Sequence, residues 1–341
     1  MEHNPINRIT QLRCNRHHTD MRFQGQSVAS STGTMGERRC EAILTRHATK
    51  PSVPTASTSS TVMQATRTVR AILLLHGYPT SSHVYRNIIE PLAETAYVVA
   101  PDMPGFGFSS APSTDAYDYT FENLANTIEA FIEALGLERF FLYITDFGAP
   151  VGYQLATRRP DRILGLIVQD GNAHEEGLGP DWDAPKVFFA EPTDNNRAKL
   201  PDWMNFEGTR NQYIGGLPER LKVLFPPESW HLDTERLERP GNTDIQFELF
   251  TDYGSHIARF PAIQAYLRNH RPACLVLWGR HDAFFAVDEI MAYNRDLHAI
   301  EIHVFESGHM LLETHHRQCA AHIAHFMHEV ETGVFRDSER R

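Results

Sequence analysis

The chain has 341 residues, of which 41% are hydrophobic and 22% are charged. This composition is ordinary for a folded globular protein and excludes a disordered or collagen-like chain. The 43 acidic residues outnumber the 32 basic ones, and the formal net charge of -11 argues against binding to nucleic acid or to an anionic membrane. We therefore expect a small-molecule substrate, neutral and apolar, as the partner. These features predict no particular oligomeric state.

Cysteine spacing and hydropathy exclude two further classes. The four cysteines are too far apart for a CxxC metal or redox motif; they are Cys14, Cys40, Cys274 and Cys319. No apolar run approaches the about 20 residues that a membrane span needs, and the first residues lack the apolar segment of a secretory signal. We therefore expect no membrane association and a reducing, cytoplasmic location.

The amino-terminal part differs in composition from the rest. Residues 1–70 contain ten Lys and Arg against four Asp and Glu, and the run 52–68 is dense in Ser and Thr. The segment 1–66 is therefore predicted to be a weakly structured or flexible extension, with 40–45 as a possible strand. A transit peptide is an alternative that the four acidic residues disfavour.

From Val69 onward, short apolar runs alternate with amphipathic ones, which predicts an α/β fold with a mostly parallel sheet covered on both faces. The predicted strands are AILLLHG, YVVAPDMPG, FFLYITDFG, ILGLIVQDG, ACLVLWG and IEIHVFE. The main helices are IIEPLAETA, FENLANTIEAFIEALGL, APVGYQLATRRP and ETHHRQCAAHIAHFMHEV. An aromatic-rich interval without this alternation, 173–255, is predicted to be a helical lid. The core then comprises 67–172 and 256–332, and 333–341 is a flexible tail.

A nucleophile-like turn is predicted where the strand FFLYIT meets the helix that follows it. Asp146, Phe147 and Gly148 lie at this junction, with the spacing of a nucleophile elbow that raises one side chain above the sheet edge. The turn also directs the N–H of Phe147 toward the same point. Taken alone, Asp146 is more simply an N-cap of the helix, since Asp is a common cap residue. The other strand ends favour the nucleophile.

Those strand ends carry groups that fit around a nucleophile. Tyr78 follows the first strand, where its N–H would form an oxyanion hole with that of Phe147, and His76 is expected to brace the loop. His309 follows IEIHVFE and is the natural base. Asp282 follows ACLVLWG, from where it can accept a hydrogen bond from Nδ1 of His309.

Residues from about 69 to 330 resemble the α/β-hydrolase superfamily, in its aspartate-nucleophile branch of haloalkane dehalogenases and epoxide hydrolases. Five segments carry the resemblance in the family's order: HGYPTSSHVYRN, PDMPGFGFSS, ITDFGAPVG, WGRHDAFF and ESGHM. The chain order nucleophile, acid, histidine also matches. The resemblance implies the α/β-hydrolase fold, with an eight-stranded type of core and an inserted lid, and no cofactor or metal.

An aspartate nucleophile implies attack on sp3 carbon, because a carboxylate forms an ester that water can cleave, whereas a serine would form an unreactive ether. Asp146 would open an epoxide or displace a halide. His309, held by Asp282, would then activate a water molecule that hydrolyses the ester. We expect epoxide hydrolysis first, and haloalkane dehalogenation as the alternative.

The preference for epoxide hydrolysis over haloalkane dehalogenation rests on how the leaving atom is stabilised. Haloalkane dehalogenases generally hold halide with a Trp directly after the nucleophile and with an Asn or a second Trp. Phe147 and Tyr78 occupy those places here, so a lid tryptophan, Trp182 or Trp203, would have to supply the donor. Epoxide hydrolases use lid tyrosines as proton donors, and Tyr253 falls where that family carries one.

Two of these assignments have competitors. Tyr213 is a second candidate proton donor, although packing is the simpler expectation for it. Some relatives take the acid from the end of the preceding strand, which here offers Asp170 and the nearby Glu175 and Glu176; motif position favours Asp282.

Two other kinds of function remain open. His322, His325 and His328 recur on the last helix and could adsorb a metal ion, but a solvated helix face is the expectation. The chain could also be a hydrolase-fold protein that binds a ligand without turning it over. An intact set of nucleophile, base and acid argues against that alternative.

Overall fold

Seven strands form one sheet in the part of the chain that a computed structural model describes, residues 61–64 and 70–337. The strands are β1 (Thr61–Gln64), β2 (Ala71–Leu75), β3 (Tyr97–Pro101), β4 (Phe140–Thr145), β5 (Ile163–Gln169), β6 (Cys274–Gly279) and β7 (Ile300–Phe305). Their order across the sheet is β1-β3-β2-β4-β5-β6-β7. The six strands from β2 onward pair in parallel, which confirms the predicted sheet.

β1 is an antiparallel edge strand that pairs with β3. It lies within the segment 1–66, for which weak structure was expected, so that expectation does not hold at Thr61–Gln64. The reason is that the strand is held by backbone pairing with a distant partner, which four residues of local pattern do not reveal. The possible strand at 40–45 lies outside the described residues.

Helices cover both faces of the sheet. The helices that pack directly on it include α1 (Arg86–Ala93), α2 (Phe121–Ala134), α3 (Gly148–Arg158), α11 (Asp288–Asp296) and α12 (Leu311–Thr332). Alternate side chains of β2 point to opposite faces, because strand side chains have a period of two. Leu73 belongs to the core that contains α2 and α3, whereas Ile72 and Leu74 belong to the core that contains α1 and α12.

A helical insertion separates β5 from β6, as the interval without alternation predicted. Its helices are α4 (Asp183–Ala190), α5 (Asp194–Arg197), α6 (Phe206–Ile214), α7 (Glu219–Lys222), α8 (Pro227–Leu237) and α9 (Asn242–Ala258), followed by α10 (Phe260–His270). Among the described residues, none of the helices combines the length and the apolar character needed to traverse a bilayer.

The segment 333–341 was expected to be a flexible tail, yet it begins with a short helix, α13 (Val334–Asp337). Phe335 is buried, and its ring packs edge-on against Phe326 of α12 with 5.0 Å between the centroids. This contact orders a segment whose local sequence carries no helix signal of useful length.

Candidate active site

Asp146 lies in the turn between β4 and α3, at the carboxyl edge of the sheet. Its φ of 47° is in the left-handed region, which costs energy for a residue with a side chain. The turn is closed by hydrogen bonds from Asp146 N to Asp170 O (3.2 Å) and from Ala149 N to Asp146 O (2.8 Å). The chain therefore turns sharply enough to raise the carboxylate above the strand ends.

Two glycines make this turn possible. A methyl group on Gly148 would lie 2.1 Å from the carbonyl oxygen of Leu75, and one on Gly77 would lie 2.3 Å from the side chain of Asp146. Both distances are far inside van der Waals contact. The first turn of α3 and the loop after β2 therefore approach each other closely enough for both to contact the carboxylate of Asp146.

The carboxylate of Asp146 accepts two backbone hydrogen bonds through one oxygen. Oδ1 receives the N–H groups of Tyr78 and Phe147, each at 2.6 Å. These are the two N–H groups that the sequence predicted for an oxyanion hole. Oδ2 is left to face His309. One oxygen is thus held by fixed donors while the other is available for reaction.

His309 lies in the loop between β7 and α12, and its ring connects two carboxylates. Nδ1 lies 2.8 Å from Oδ2 of Asp282, and Nε2 lies 3.7 Å from Oδ2 of Asp146. Asp282 is itself fixed, because its Oδ1 accepts the N–H groups of Phe284 (2.7 Å) and Phe285 (3.0 Å). With Nδ1–H donating to Asp282, Nε2 is directed at the nucleophile.

The charged states of Asp146 and His309 depend on each other. Burial raises the pKa of Asp146, and the nearby His309 together with the two backbone N–H groups counteracts that rise. Burial also disfavours a charged His309, but Asp282 and Asp146 outweigh it and raise the pKa of the imidazole to about 9. Asp146 and His309 therefore stabilise each other's charge in the free protein.

The alternative acids lie elsewhere or have other contacts. Asp170 is buried, and its carboxylate accepts the N–H of Gly279 (3.1 Å) and an amide N–H of Gln169 (3.3 Å). Burial and the neighbouring Asp282 raise the pKa of Asp170 well above its ordinary value. Glu175 is exposed, and Glu176 forms an ion pair with Arg295. The structure places Asp282 on Nδ1 of His309.

Tyr253 lies on α9 beside the nucleophile turn. Its ring contacts the rings of Phe147, Phe121 and Trp182, with centroids 5.9, 5.9 and 4.8 Å away. Burial raises the pKa of Tyr253 well above its ordinary value, and the charge of Asp146 adds to this rise. Within the described part of the chain, the hydroxyl makes no hydrogen bond of full geometry, although the side chain of Asn172 lies close enough to interact with it. It is a protonated donor close to Asp146.

The other lid candidates make different contacts, and the polar side-chain atoms of Tyr213 and Trp182 are engaged away from Asp146. The Tyr213 hydroxyl donates to Oδ2 of Asp233 at 2.5 Å, so it is engaged in a buried structural contact. The indole N–H of Trp182 donates to the carbonyl of Phe284 at 2.7 Å. Trp203 packs edge-on against Tyr78, with centroids 4.7 Å apart, and its carbonyl accepts the Tyr78 hydroxyl at 3.3 Å.

Two loops that shape the site are fixed by buried polar groups. His76 accepts the N–H of Met103 at Nε2 (3.0 Å), so its Nδ1 donates to the carbonyl of Gly77 (3.1 Å). This contact braces the oxyanion loop. Asp102 accepts the N–H groups of Ser82 and Phe108, each at 2.8 Å, and so ties the loop after β3 to the loop after β2.

The sequence analysis did not identify three residues that lie near the site. Tyr85 and Asn172 are fully buried and lie close to Asp146 and Tyr253, respectively, and Glu289 lies beyond Asn172. Asn172 follows the end of β5, so attention to every strand end would have found it. Tyr85 lies in an aromatic core pattern, and Glu289 lies in a surface-like helix pattern; neither carries a sequence signal.

Two groups of metal-ligand side chains occur among the described residues. One consists of Asp170, Asp282 and His309 and belongs to the site itself. The other joins His322 of α12, which is partly exposed, to Glu301 and His303 of β7. His325 and His328 are exposed, as expected for a solvated helix face. Glu301 approaches His322 because of its register position on β7, and the pattern of the helix alone cannot show this contact.

Comparisons with known proteins agree with this architecture. A family model described as the alpha/beta hydrolase fold matches residues 70–316. An uncharacterized hydrolase of Saccharomyces cerevisiae is 39% identical over 249 residues, which cover 72% of this chain and 84% of the yeast protein. The chain is also similar to a cis-3-alkyl-4-alkyloxetan-2-one decarboxylase of Shewanella oneidensis, at 26% identity over 76% of this chain and 83% of that protein.

Similarity to a haloalkane dehalogenase is shorter. The protein of Mesorhizobium japonicum is 37% identical over 118 residues, which cover 35% of this chain and 37% of the dehalogenase. These matches support the predicted fold and the wider group of hydrolases, and they leave the reaction to be argued from the site.

Proposed function

Because the chain belongs to the alpha/beta hydrolase fold family, we propose that it hydrolyses epoxides to diols through a covalent ester on Asp146. The proposal rests on one observation, that the two oxygens of the Asp146 carboxylate have different contacts. Oδ1 accepts the N–H groups of Tyr78 and Phe147, whereas Oδ2 faces His309. This arrangement suits a nucleophile whose second oxygen becomes the oxyanion of the hydrolysis step.

In the first step, Oδ2 of Asp146 attacks an epoxide carbon in line with the breaking carbon–oxygen bond. The electron pair of that bond moves to the ring oxygen, which takes the proton of the Tyr253 hydroxyl. The products are a hydroxyalkyl ester of Asp146 and a Tyr253 phenolate. A carboxylate nucleophile and a positioned acid together make this step feasible at neutral pH.

In the second step, water gives a proton to Nε2 of His309 and its oxygen bonds to Cγ of Asp146. Oδ1 becomes an oxyanion between the two backbone N–H groups. The intermediate collapses with loss of the diol oxygen, which takes the proton from His309, and Asp146 is left as a carboxylic acid. The transfer of that acid's proton, through solvent, to the Tyr253 phenolate restores both groups, so epoxide plus water gives diol.

The leaving atom decides between the two reactions. A halide needs side-chain N–H donors, but the side chain of Phe147 has none and the indole N–H of Trp182 is already donated to the carbonyl of Phe284. An epoxide oxygen needs an acid, and Tyr253 offers a buried hydroxyl that makes no hydrogen bond of full geometry among the described residues and has the side chain of Asn172 as its neighbour. The Shewanella relative, by its name a decarboxylase, acts on an oxetan-2-one, which is also a small ring that contains oxygen.

Haloalkane dehalogenation is the second candidate. The similarity to the Mesorhizobium dehalogenase favours it, and Trp203 is a second lid tryptophan close to Tyr78 that could donate to a halide. Binding without turnover is the third candidate. The contacts among Asp146, His309 and Asp282 support turnover against it.

The experiment uses His309→Gln protein with a panel of epoxides and haloalkanes, analysed by mass spectrometry. A substrate should alkylate Asp146, and the ester should persist because water activation fails. Wild-type protein in H2¹⁸O should give a first-turnover diol without label, because one oxygen comes from the epoxide and the other from Asp146, and the label should appear in the Asp146 peptide. An adduct on another residue, or steady turnover by His309→Gln, contradicts the mechanism. Release of halide without diol replaces epoxide hydrolysis by dehalogenation.

A further inference from the structure

A small cavity lies beside the nucleophile. Asp146 and His309 line it, together with Tyr85, Thr145 and Gln169. The centre of a water molecule can move within about 10 Å³ of this cavity, which is about the space that a single water molecule needs. Both groups that the hydrolysis step requires, the ester carbon and the base, therefore border one space of the size of the co-substrate.

Tyr85 presents an unpaired polar atom in this region. Its side chain is fully buried, and its hydroxyl has no hydrogen-bond partner within the described residues. The ring is held edge-on against Tyr143, with 5.4 Å between centroids, while the hydroxyl of Tyr143 is engaged by Gln169. A buried hydroxyl without a partner is costly, so this position favours a bound polar molecule.

The chemistry of the hydrolysis step identifies this polar molecule as water. Water must donate one hydrogen to His309 while a lone pair of its oxygen faces Cγ of Asp146. An acceptor for the second hydrogen fixes this orientation, and Tyr85, whose hydroxyl has no partner among the described residues, lines the same cavity. Burial keeps Tyr85 protonated, since it raises the pKa of its hydroxyl well above the ordinary value. Tyr85 therefore exchanges no proton and acts on orientation alone.

We propose that Tyr85 is a positioning residue for the hydrolytic water, which it holds in the cavity between Asp146 and His309. The inference rests on the proposed ester mechanism but not on the choice between epoxide and halide, because both reactions end in hydrolysis of the same ester. It assigns Tyr85 to the second half-reaction only. The first half-reaction, attack by Oδ2 of Asp146, does not involve the water and is independent of the Tyr85 hydroxyl.

The test separates the two half-reactions by rapid quenching and mass spectrometry of the Asp146 peptide. Tyr85→Phe removes one oxygen and keeps the ring. We expect ester formation at the wild-type rate and ester hydrolysis slowed about tenfold, the effect of losing one hydrogen bond in the transition state. The ester should consequently accumulate in the steady state. Tyr266→Phe, which removes a hydroxyl from another buried tyrosine on α10, should leave both rates unchanged.

Two outcomes overturn the inference. Hydrolysis by Tyr85→Phe at the wild-type rate means that the hydroxyl does not hold the reacting water. Equal slowing of both half-reactions means that the hydroxyl supports the fold of the site, not the water. Failure of the proposed function has a different signature, because then neither wild-type nor His309→Gln protein forms an ester on Asp146.

Discussion

Nε2 of His309 lies 3.7 Å from Oδ2 of Asp146, beyond hydrogen-bond length but well within the range at which one charge acts on another. The negative carboxylate favours the imidazolium form and helps to raise the pKa of His309 to about 9. An ester at Asp146 is neutral, so its formation should lower that pKa. The base would thus lose its proton more readily at the stage when a neutral imidazole is required.

Asp146→Asn imitates the loss of this charge without changing the shape of the side chain. The pKa of His309 should fall by about one to three pH units, the usual effect of one nearby opposite charge. The measurement is an NMR titration of labelled histidine, with His309→Gln protein to assign the resonance among the 19 histidines. An unchanged pKa would show that Asp282 alone sets the protonation of the ring.

The roles of Asp282 and Asp170 can be separated by substitution with Asn. Asp282→Asn should reduce kcat by about 10²–10⁴-fold, because the acceptor that orients Nδ1–H of His309 is lost. Asp170→Asn should leave kcat nearly unchanged. Asn retains an oxygen for the N–H of Gly279 and tolerates the left-handed φ of 43° at this position. Steady-state assays of both variants decide the matter, and the reverse pattern would make Asp170 the acid.

Tyr253→Phe tests the proposed acid. The variant should slow epoxide opening by about 10²–10⁴-fold, the range for a positioned general acid, and should barely affect alkylation by a haloalkane, whose leaving group needs no proton. The rate of Asp146 ester formation is the quantity to measure. Tyr213→Phe is the matched control, since its hydroxyl is bound to Asp233. Equal losses on both substrate classes would indicate that Tyr253 only packs.

Asp233 makes stability depend on pH. Burial raises its pKa to about 8, against about 3.9 in an unfolded chain. Between these values the folded state holds a proton that the unfolded state releases, so this residue lowers the free energy of unfolding as pH rises from about 4 to 8. Asp233→Asn should therefore raise Tm at pH 8 and leave it nearly unchanged at pH 4. A shift of the same size at both pH values would contradict this origin.

The sequence predicted the features of the site that local pattern controls. Each of these groups follows a parallel strand, and the ends of parallel strands meet at one edge of the sheet. The groups are Asp146, His309, Asp282 and the N–H groups of Tyr78 and Phe147. Their convergence could therefore be expected from the order of elements alone.

Contacts between distant segments could not be predicted in this way. The indole of Trp182 is bound to the carbonyl of Phe284 and the hydroxyl of Tyr213 to Asp233, because the lid helices adopt particular angles over the core. Nothing in the local sequence of a lid tyrosine states which way its hydroxyl points. The same holds for Tyr85, whose unpaired hydroxyl is visible only when every buried polar atom is matched with a partner.

The close approach of Gly77 and Gly148 to the carboxylate turn has a consequence for protein engineering. A variant library that aims at new leaving groups can change lid side chains other than the proposed acid Tyr253, because substrate choice depends on side chains and the elbow on close backbone contacts. The two glycines tolerate no side chain at all. The means of activating the ester is therefore built into the main chain, while the choice of substrate is left to replaceable side chains.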